Sequence, residues 1–263
     1  MPKPVMNRDI SDILDQWPYD RTRPNIRLIQ GQDGQPLLQV RLDLGLLQMH
    51  VDGRPDGQMP HGYRSLLEYY ESLADDAQAM AEEGESHEEF ELSPEDCKLL
   101  REEAAQYYHR YVALLVLNDF DGVIRDTARN LRLIEFLSTH AREESDRRSM
   151  VHYRPFILTV RTRALAGQML RANESRAAVA LIDEGLEMLQ DAFAQAGEPE
   201  AFESSAERRT LVGMREAIQP KLMPSQAAEL EARLARALEA ENYELAAILR
   251  DELKALRDRS SKA

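Results

Sequence analysis

Cysteine is nearly absent. Cys97 is the only one in 263 residues, so no intrachain disulfide framework can form, and the chain suits a reducing, cytoplasmic setting. Long apolar runs are missing as well. None approaches the ~20 residues that span a bilayer, so no membrane role is expected. The opening stretch MPKPVMNRDISDILDQW lacks the apolar segment of a secretory leader. Basic charge is in short supply: 33 Lys and Arg against 47 Asp and Glu leave a formal net charge of −14. Such a chain repels phosphate backbones and anionic lipid, which argues against broad nucleic-acid binding. The imbalance concentrates between Glu71 and Glu103, where thirteen carboxylates face only Lys98 and Arg101. Catalytic signatures are missing too. There is no Gly-x-Gly-x-x-Gly, Walker lysine loop, Gly-x-Ser-x-Gly, His-Glu-x-x-His or Cys-x-x-Cys. His87, His109, His140 and His152 are scattered over helical or polar segments. No enzyme activity, cofactor or metal is therefore expected.

What is present is mostly helix, with one β region. Asp9 or Ser11 can cap a short turn carrying Ile10, Ile13, Leu14 and Trp17, which Pro18 stops; Trp17 should pack on the sheet that follows. Ile26–Gln30, a turn at Gly31–Gly34, and the alternation of Leu38, Val40, Leu42 and Leu44 with Gln39, Arg41 and Asp43 predict an antiparallel meander. Gly45 breaks the phase, and Leu47, Met49 and Val51 supply the third strand. The Trp17 helix, or one over Tyr63–Met80 with Leu66, Leu67, Tyr70 and Leu73, should cover the apolar face. The connector from His50 to His61, with Asp52, Asp56, two Asp-Gly pairs and two prolines, reads as successive turns. Its alternative reading is a metal or anion site.

Residues 81–92, AEEGESHEEFEL, form an acidic linker by composition. Ser93-Pro94-Glu95-Asp96 then starts a helix to about Leu117, with Leu99, Leu100, Ala104, Tyr107, Tyr108, Tyr111, Leu114 and Leu115 as its stripe. The segment Asn118 to Leu131, with Asn118, Phe120 and Val123 at fixed offsets, resembles the turn and second helix of a tetratricopeptide repeat. A second copy starts at Asn173, with Ser175 and Ala178 in the matching places, after a helix from about Pro155 carrying Thr162, Leu165, Ala166 and Met169. A polar stretch, His140 to Ser149, separates the copies. The resemblance implies helix pairs stacked on neighbours and presenting a groove; an ordinary helical bundle is the alternative. Residues 197–210 read as a loop before one more helix that ends at Pro220–Pro224.

The most specific pattern is Ser225–Arg257, two amphipathic helices folded back at Glu241-Asn242-Tyr243. Leu230, Leu234, Ala237 and Leu238 form the stripe of the first helix; Leu245, Ala246, Leu249, Leu253 and Leu256 form that of the second. Ala246-Ala247 allows close helix approach, Tyr243 packs over the turn, Glu244 suits the helix N-terminus, and Arg250 and Asp251 face outward. The run from Asn242 to Leu256 resembles the UVR motif, the UvrB/UvrC interaction domain of bacterial proteins. Tyr243, Glu244, Ala246, Ala247, Arg250 and Asp251 meet its signature, while Asn242 replaces the common acidic residue. The resemblance implies a bacterial protein that binds through this hairpin to a second copy of itself, to a UvrB/UvrC-type protein or to a Clp ATPase.

The expected organisation is a mainly α chain with a small N-terminal meander in 1–80, the linker 81–92, a helical domain 93–222 and the hairpin 223–263. The expected function is that of a non-catalytic adaptor or scaffold. Its alternatives are an accessory factor of nucleotide excision repair, and an enzyme or metal-binding module using the His50–His61 loop.

Overall fold

The computed structural model describes residues 9–84, 89–222, 226–239 and 242–260. The chain divides into two compact units, Met1–Val212 and Gly213–Ala263. It is mainly helical, with a small antiparallel sheet near the N-terminus, as the sequence pattern predicts.

In the first unit, β1 (Ile26–Gln30), β2 (Pro36–Arg41) and β3 (Leu46–His50) form the meander. Gly34 turns the first corner at φ 81°, a region open to glycine because it carries no Cβ. Asp43 and Leu44 make the second corner, closed by the Leu42 N–H donating to the Gly45 carbonyl at 2.9 Å. Leu38 sits opposite Leu28 and Met49, and Val40 opposite Ile26 and Leu47. Apart from Leu28, which is exposed, these residues join the main core.

The strand pattern needs two corrections. Leu42 and Leu44 are not on the buried face: β2 stops at Arg41, so both belong to the corner, and Leu44 is 90% exposed. The face carrying Gln39 and Arg41 is covered as well. Gln39 accepts from Arg27 Nε and donates to Gln48, both at 2.8 Å, while Arg41 Nε donates to the Trp17 carbonyl at 3.0 Å. Hydrogen bonding is what makes burial of such side chains tolerable. The Arg27 guanidinium lies 3.9 Å from the Trp17 ring centre, which sets the indole against β1. The short helix α1 (Ser11–Gln16) buries nothing; Ile10 and Ile13 are exposed.

Helix α2 (Leu66–Glu82) is capped by the Ser65 hydroxyl, which accepts from the Glu68 N–H. It buries Leu66, Leu67 and Tyr70 and leaves Leu73 at the surface. Beneath the sheet, β2 packs on α3 (Pro94–Val116). The start of α3 is a full capping box between Ser93 and Asp96. Tyr70 donates to Asp96 at 2.5 Å. Burial raises the Asp96 pKa, but the bonds from Ser93 and Tyr70 outweigh it and hold the carboxyl below its usual range. Leu99 and Tyr108 of the predicted stripe are exposed at the edge of the helix. Of the acidic linker, residues 85–88, His87 among them, lie outside the described ones. Leu92 forms a parallel bridge with Ala141.

Helices α3, α4 (Phe120–His140), α6 (Arg154–Arg171) and α7 (Ser175–Gln195) then pack in succession. α3 and α6 end in the same motif. Asn118 and Asn173 take φ 57° and 63°, and the following N–H reaches five residues back, Asp119 to Leu114 at 2.9 Å and Glu174 to Met169 at 2.8 Å. This is the left-handed cap that asparagine tolerates among non-glycine residues. Asn173 stands 55 residues after Asn118. At that offset Val123 and Ala178, Thr127 and Ile182, Asn130 and Gly185, Ile134 and Leu189, and Leu137 and Ala192 are all buried. The two helix pairs therefore share a burial frame. The polar stretch between them holds the short α5 (Glu144–Arg148).

The loop expected over 197–210 is shorter than predicted. α8 (Ala201–Ser204) and α9 (Ala206–Leu222) occupy most of it. Phe202 is buried against Phe193, and the Ser205 hydroxyl accepts from the Arg208 N–H at 3.1 Å.

Candidate functional site

The C-terminal hairpin lies in the second unit. Its helices are α10 (Gln226–Glu239) and α11 (Tyr243–Ser260), packed on each other. Part of the predicted turn, Glu241, lies outside the described residues, as do the side chains of Glu244 and Leu256. Asn242 caps α11: its Oδ1 accepts from the Leu245 N–H at 3.1 Å, and its own N–H reaches the Ala237 carbonyl at 2.8 Å. The position where the family favours an acidic residue is thus an N-cap, and an amide oxygen accepts there as a carboxylate would. The sequence signal was readable, because Asn precedes the first residue of a helical stripe.

The predicted interaction residues whose side chains are described divide into two groups. Ala246 and Leu249 form the buried interior together with Ala237 of the α10 stripe, Leu230 and Leu234 pack against it, and Leu253 is buried as well. These residues hold the hairpin closed and are spent on its own packing. Leu238 and Tyr243 are exposed by 51% and 68%, Ala247 is exposed, and Arg250 and Asp251 pair with each other at 3.2 Å on the surface. Two further exposed side chains, Leu245 and Ile248, are three apart and so share one flank of α11, beside the interior line of Ala246, Leu249 and Leu253. Leu245 therefore leaves the interior stripe assigned to it, and Ile248 is an outward apolar residue that the stripe pattern missed. Arg250 and Asp251, adjacent and solvated, contribute little to stability. An outward apolar flank on a helix this short is what a docking surface requires.

The His50–His61 loop has a different role. His50 and Gly53 offer their carbonyls to Arg110 Nη1 at 2.9 and 2.8 Å. Asp52 pairs with Arg125 at 2.8 Å, Asp56 accepts from the Gln58 N–H, and the His61 ring stacks on Tyr69 at 4.1 Å. The His50 ring lies against Gly57, where a Cβ would come within 2.5 Å of it. Each predicted ligand is engaged with a separate partner. Among the described residues no group of three His, Cys, Asp or Glu side chains is gathered closely enough to hold a metal ion.

The loop is held by a buried charge network that composition did not reveal. Arg110 and Asp126 are fully buried and joined by two bonds of 2.7 and 2.8 Å. Glu103 pairs with Arg129 and accepts from the Leu66 N–H at 2.8 Å, so a carboxylate of α3 caps the N-terminus of α2. Tyr107 stands between the two guanidiniums, 4.8 and 4.5 Å from its ring centre. Burial lowers the Arg129 pKa, with Glu103 opposing it. The available signal was Arg110 on the same helical face as Tyr107, Tyr111 and Leu114.

Two surface grooves accompany this core. One, of about 830 Å³, lies between α3, α5 and α6 and carries Tyr108, Tyr153 and Phe156. The other, of about 880 Å³, lies between α2 and α4. Among the described residues no helix is long and apolar enough to cross a membrane.

Neither the curated proteins nor the solved structures contain a match to this chain. The hairpin does match a family model: residues 225–259 fit the UvrB/uvrC motif, UVR, and the chain carries that motif as the pair α10–α11.

Proposed function

We propose that this is a non-catalytic adaptor of the bacterial cytoplasm that docks on another protein through its C-terminal hairpin. The observation carrying this reading is the separation inside the matched motif. Ala246, Leu249 and Leu253 turn inward, while Leu238, Tyr243, Leu245 and Ile248 remain outside. A helical hairpin of about thirty residues buries too little to be robust alone, so covering that flank is favourable. The natural complement is a second apolar helical hairpin, from another copy, from a UvrB/UvrC-type protein or from a Clp ATPase. The common burial frame of the pairs α3–α4 and α6–α7 supports a tetratricopeptide-like body that presents further surface to partners.

The test is a solution mass by light scattering, with capture from the native cell, for the full chain, for a chain lacking residues 224–263, and for Ile248→Glu. Loss of the same partner, or of dimer mass, in both variants is the expected result. An unchanged mass and partner set in both refutes docking through the hairpin. The match to the UvrB/uvrC motif also supports a second reading, an accessory factor of excision repair. That reading requires direct binding to a UvrB- or UvrC-type protein and ultraviolet sensitivity on deletion. Absence of both removes it and leaves the adaptor reading standing.

A further inference from the structure

Past Tyr70, α2 buries no further side chain completely, although Ala74 still packs against the core. Its buried residues are Leu66, Leu67 and Tyr70, and its later turns present Ala74, Ala77 and Ala81 to the 880 Å³ groove. Arg132, Phe136, Thr139 and His140 of α4 form the opposite wall, and Phe90 completes it. Phe90, Phe136 and His140 make one aromatic cluster, with ring centres 4.6 to 6.1 Å apart. At one end Arg132 bridges to Glu71 at 2.6 Å, which ties the helices together and uses the only guanidinium in the lining. Asp75 and Glu89 also line the groove, and among the described residues neither has an ion-pair partner. The groove thus joins an apolar floor to uncompensated negative charge, within the most acidic stretch of the sequence.

We propose that this groove docks a basic amphipathic helix of a partner protein. A helix fits because none of the strands β1–β3 is among the residues lining the groove; an extended segment would lay unpaired N–H and C=O groups on an apolar floor. Alanine on one wall permits the close axis separation, about 8–10 Å, of packed helices. Lysine or arginine beside the apolar stripe would meet Asp75 and Glu89, a complementarity that speeds encounter and selects partner sign. Nucleic acid and anionic lipid are repelled by the same carboxylates.

The experiment titrates the full chain, methyl-labelled at alanine, with synthetic peptides of about five helical turns. One is a Lys/Leu amphipathic helix, one its Glu/Leu counterpart, and one a Lys/Leu peptide scrambled to abolish the apolar face. The expected result is binding of the first alone, shifting the methyl signals of Ala74, Ala77 and Ala81. Ala77→Gln, at a half-buried position, should weaken binding about tenfold, and Asp75→Lys with Glu89→Lys by a similar factor that shrinks as salt rises. Trp17 fluorescence should report unchanged folding in each variant. Equal binding of the scrambled or acidic peptide, shifts confined to the hairpin alanines Ala237 and Ala246, or full affinity in Ala77→Gln would overturn the proposal. So would a fall in the solution mass of Ala77→Gln, which would make the occupant a second copy. The hairpin has its own test, in the chain lacking residues 224–263 and in Ile248→Glu.

Discussion

Replacing Arg110 with methionine tests the claim that a buried charge network, not the apolar contacts alone, fastens the sheet and its loop to the helices. Methionine keeps an unbranched apolar stem of about the reach of arginine's Cβ–Cγ–Cδ–Nε and deletes the guanidinium. Three connections go at once: the two-bond pair with Asp126, the bond to the His50 carbonyl and the bond to the Gly53 carbonyl. Breaking a buried ion pair from one side costs about 3–5 kcal/mol, because the other charge is stranded. The lower end applies here, since Arg125 Nε still reaches Asp126 at 3.0 Å. Each orphaned carbonyl adds about 1 kcal/mol. The expected loss is therefore about 5 kcal/mol, equivalent to roughly 10–20 °C in Tm for a unit of this size. Urea unfolding followed by Trp17 fluorescence measures it within the first unit, which holds the only tryptophan. The double variant Arg110→Met, Asp126→Leu removes both charges and should cost less than the sum of the single changes, by about 2–3 kcal/mol. A single-variant cost below about 1 kcal/mol, or strict additivity in the double variant, would refute the reasoning.

Other perturbations probe the remaining features. Gly167 lies under the Phe120 ring, 2.5 Å from where a Cβ would sit, so Gly167→Ala should cost about 1–3 kcal/mol by overpacking, read in the same urea titration. At the helix caps, Asn118→Ala should lose about 1 kcal/mol while Asn118→Gly retains stability, because only glycine takes φ 57° without strain. Leu249→Ala, inside the hairpin, should reduce far-UV helicity by opening α10–α11 at a cost of about 2–4 kcal/mol, whereas Ile248→Ser should leave helicity intact and abolish association. Burial pushes the Cys97 thiol up to about 11, so its alkylation at pH 8 should wait for unfolding and speed up with urea. For Asp96, whose pKa is depressed in the folded chain, the stabilising contribution is present above the unfolded carboxyl pKa of about 4 and lost as pH falls through the folded value. Asp96→Asn should flatten that acid limb of a thermal-stability profile.

The legible parts of the fold are those set by local backbone chemistry. Ser93-Pro94-Glu95-Asp96 can do little except begin a helix, and Asn118 and Asn173 mark ends because few other residues accept positive φ. Period-two alternation located all three strands, yet it assigned Leu42 and Leu44 to the interior. Alternation identifies a face and cannot say where the partner strand turns away. The buried network escaped for the opposite reason. Arg110, Glu103, Asp126 and Arg129 are charged, and composition places charge at the surface; only pairing between the consecutive helices α3 and α4, 16 and 26 residues apart, makes their burial tolerable.

The same distinction governs the hairpin. A stripe of apolar residues predicts what one helix hides, and two stripes predict that the helices face each other. Neither says which apolar residues are left over once they have met. In α11 the stripe of Ala246, Leu249 and Leu253 is consumed by α10, and Leu245 and Ile248 become surplus only after that contact is formed. Among the described signature residues Ala246 is buried and reports on making the hairpin, so a substitution there unfolds it before it can reveal a partner, whereas Tyr243, Ala247, Arg250 and Asp251 stay exposed. Recognition has to be sought one step around the helix, among the side chains left exposed once the hairpin has closed. Two proteins sharing the motif can fold the same hairpin and bind different things. Exchanging only Leu238, Tyr243, Leu245 and Ile248 between two such hairpins should accordingly transfer partner choice while leaving helicity unchanged, and failure of the choice to move would place recognition in the interior-forming residues instead.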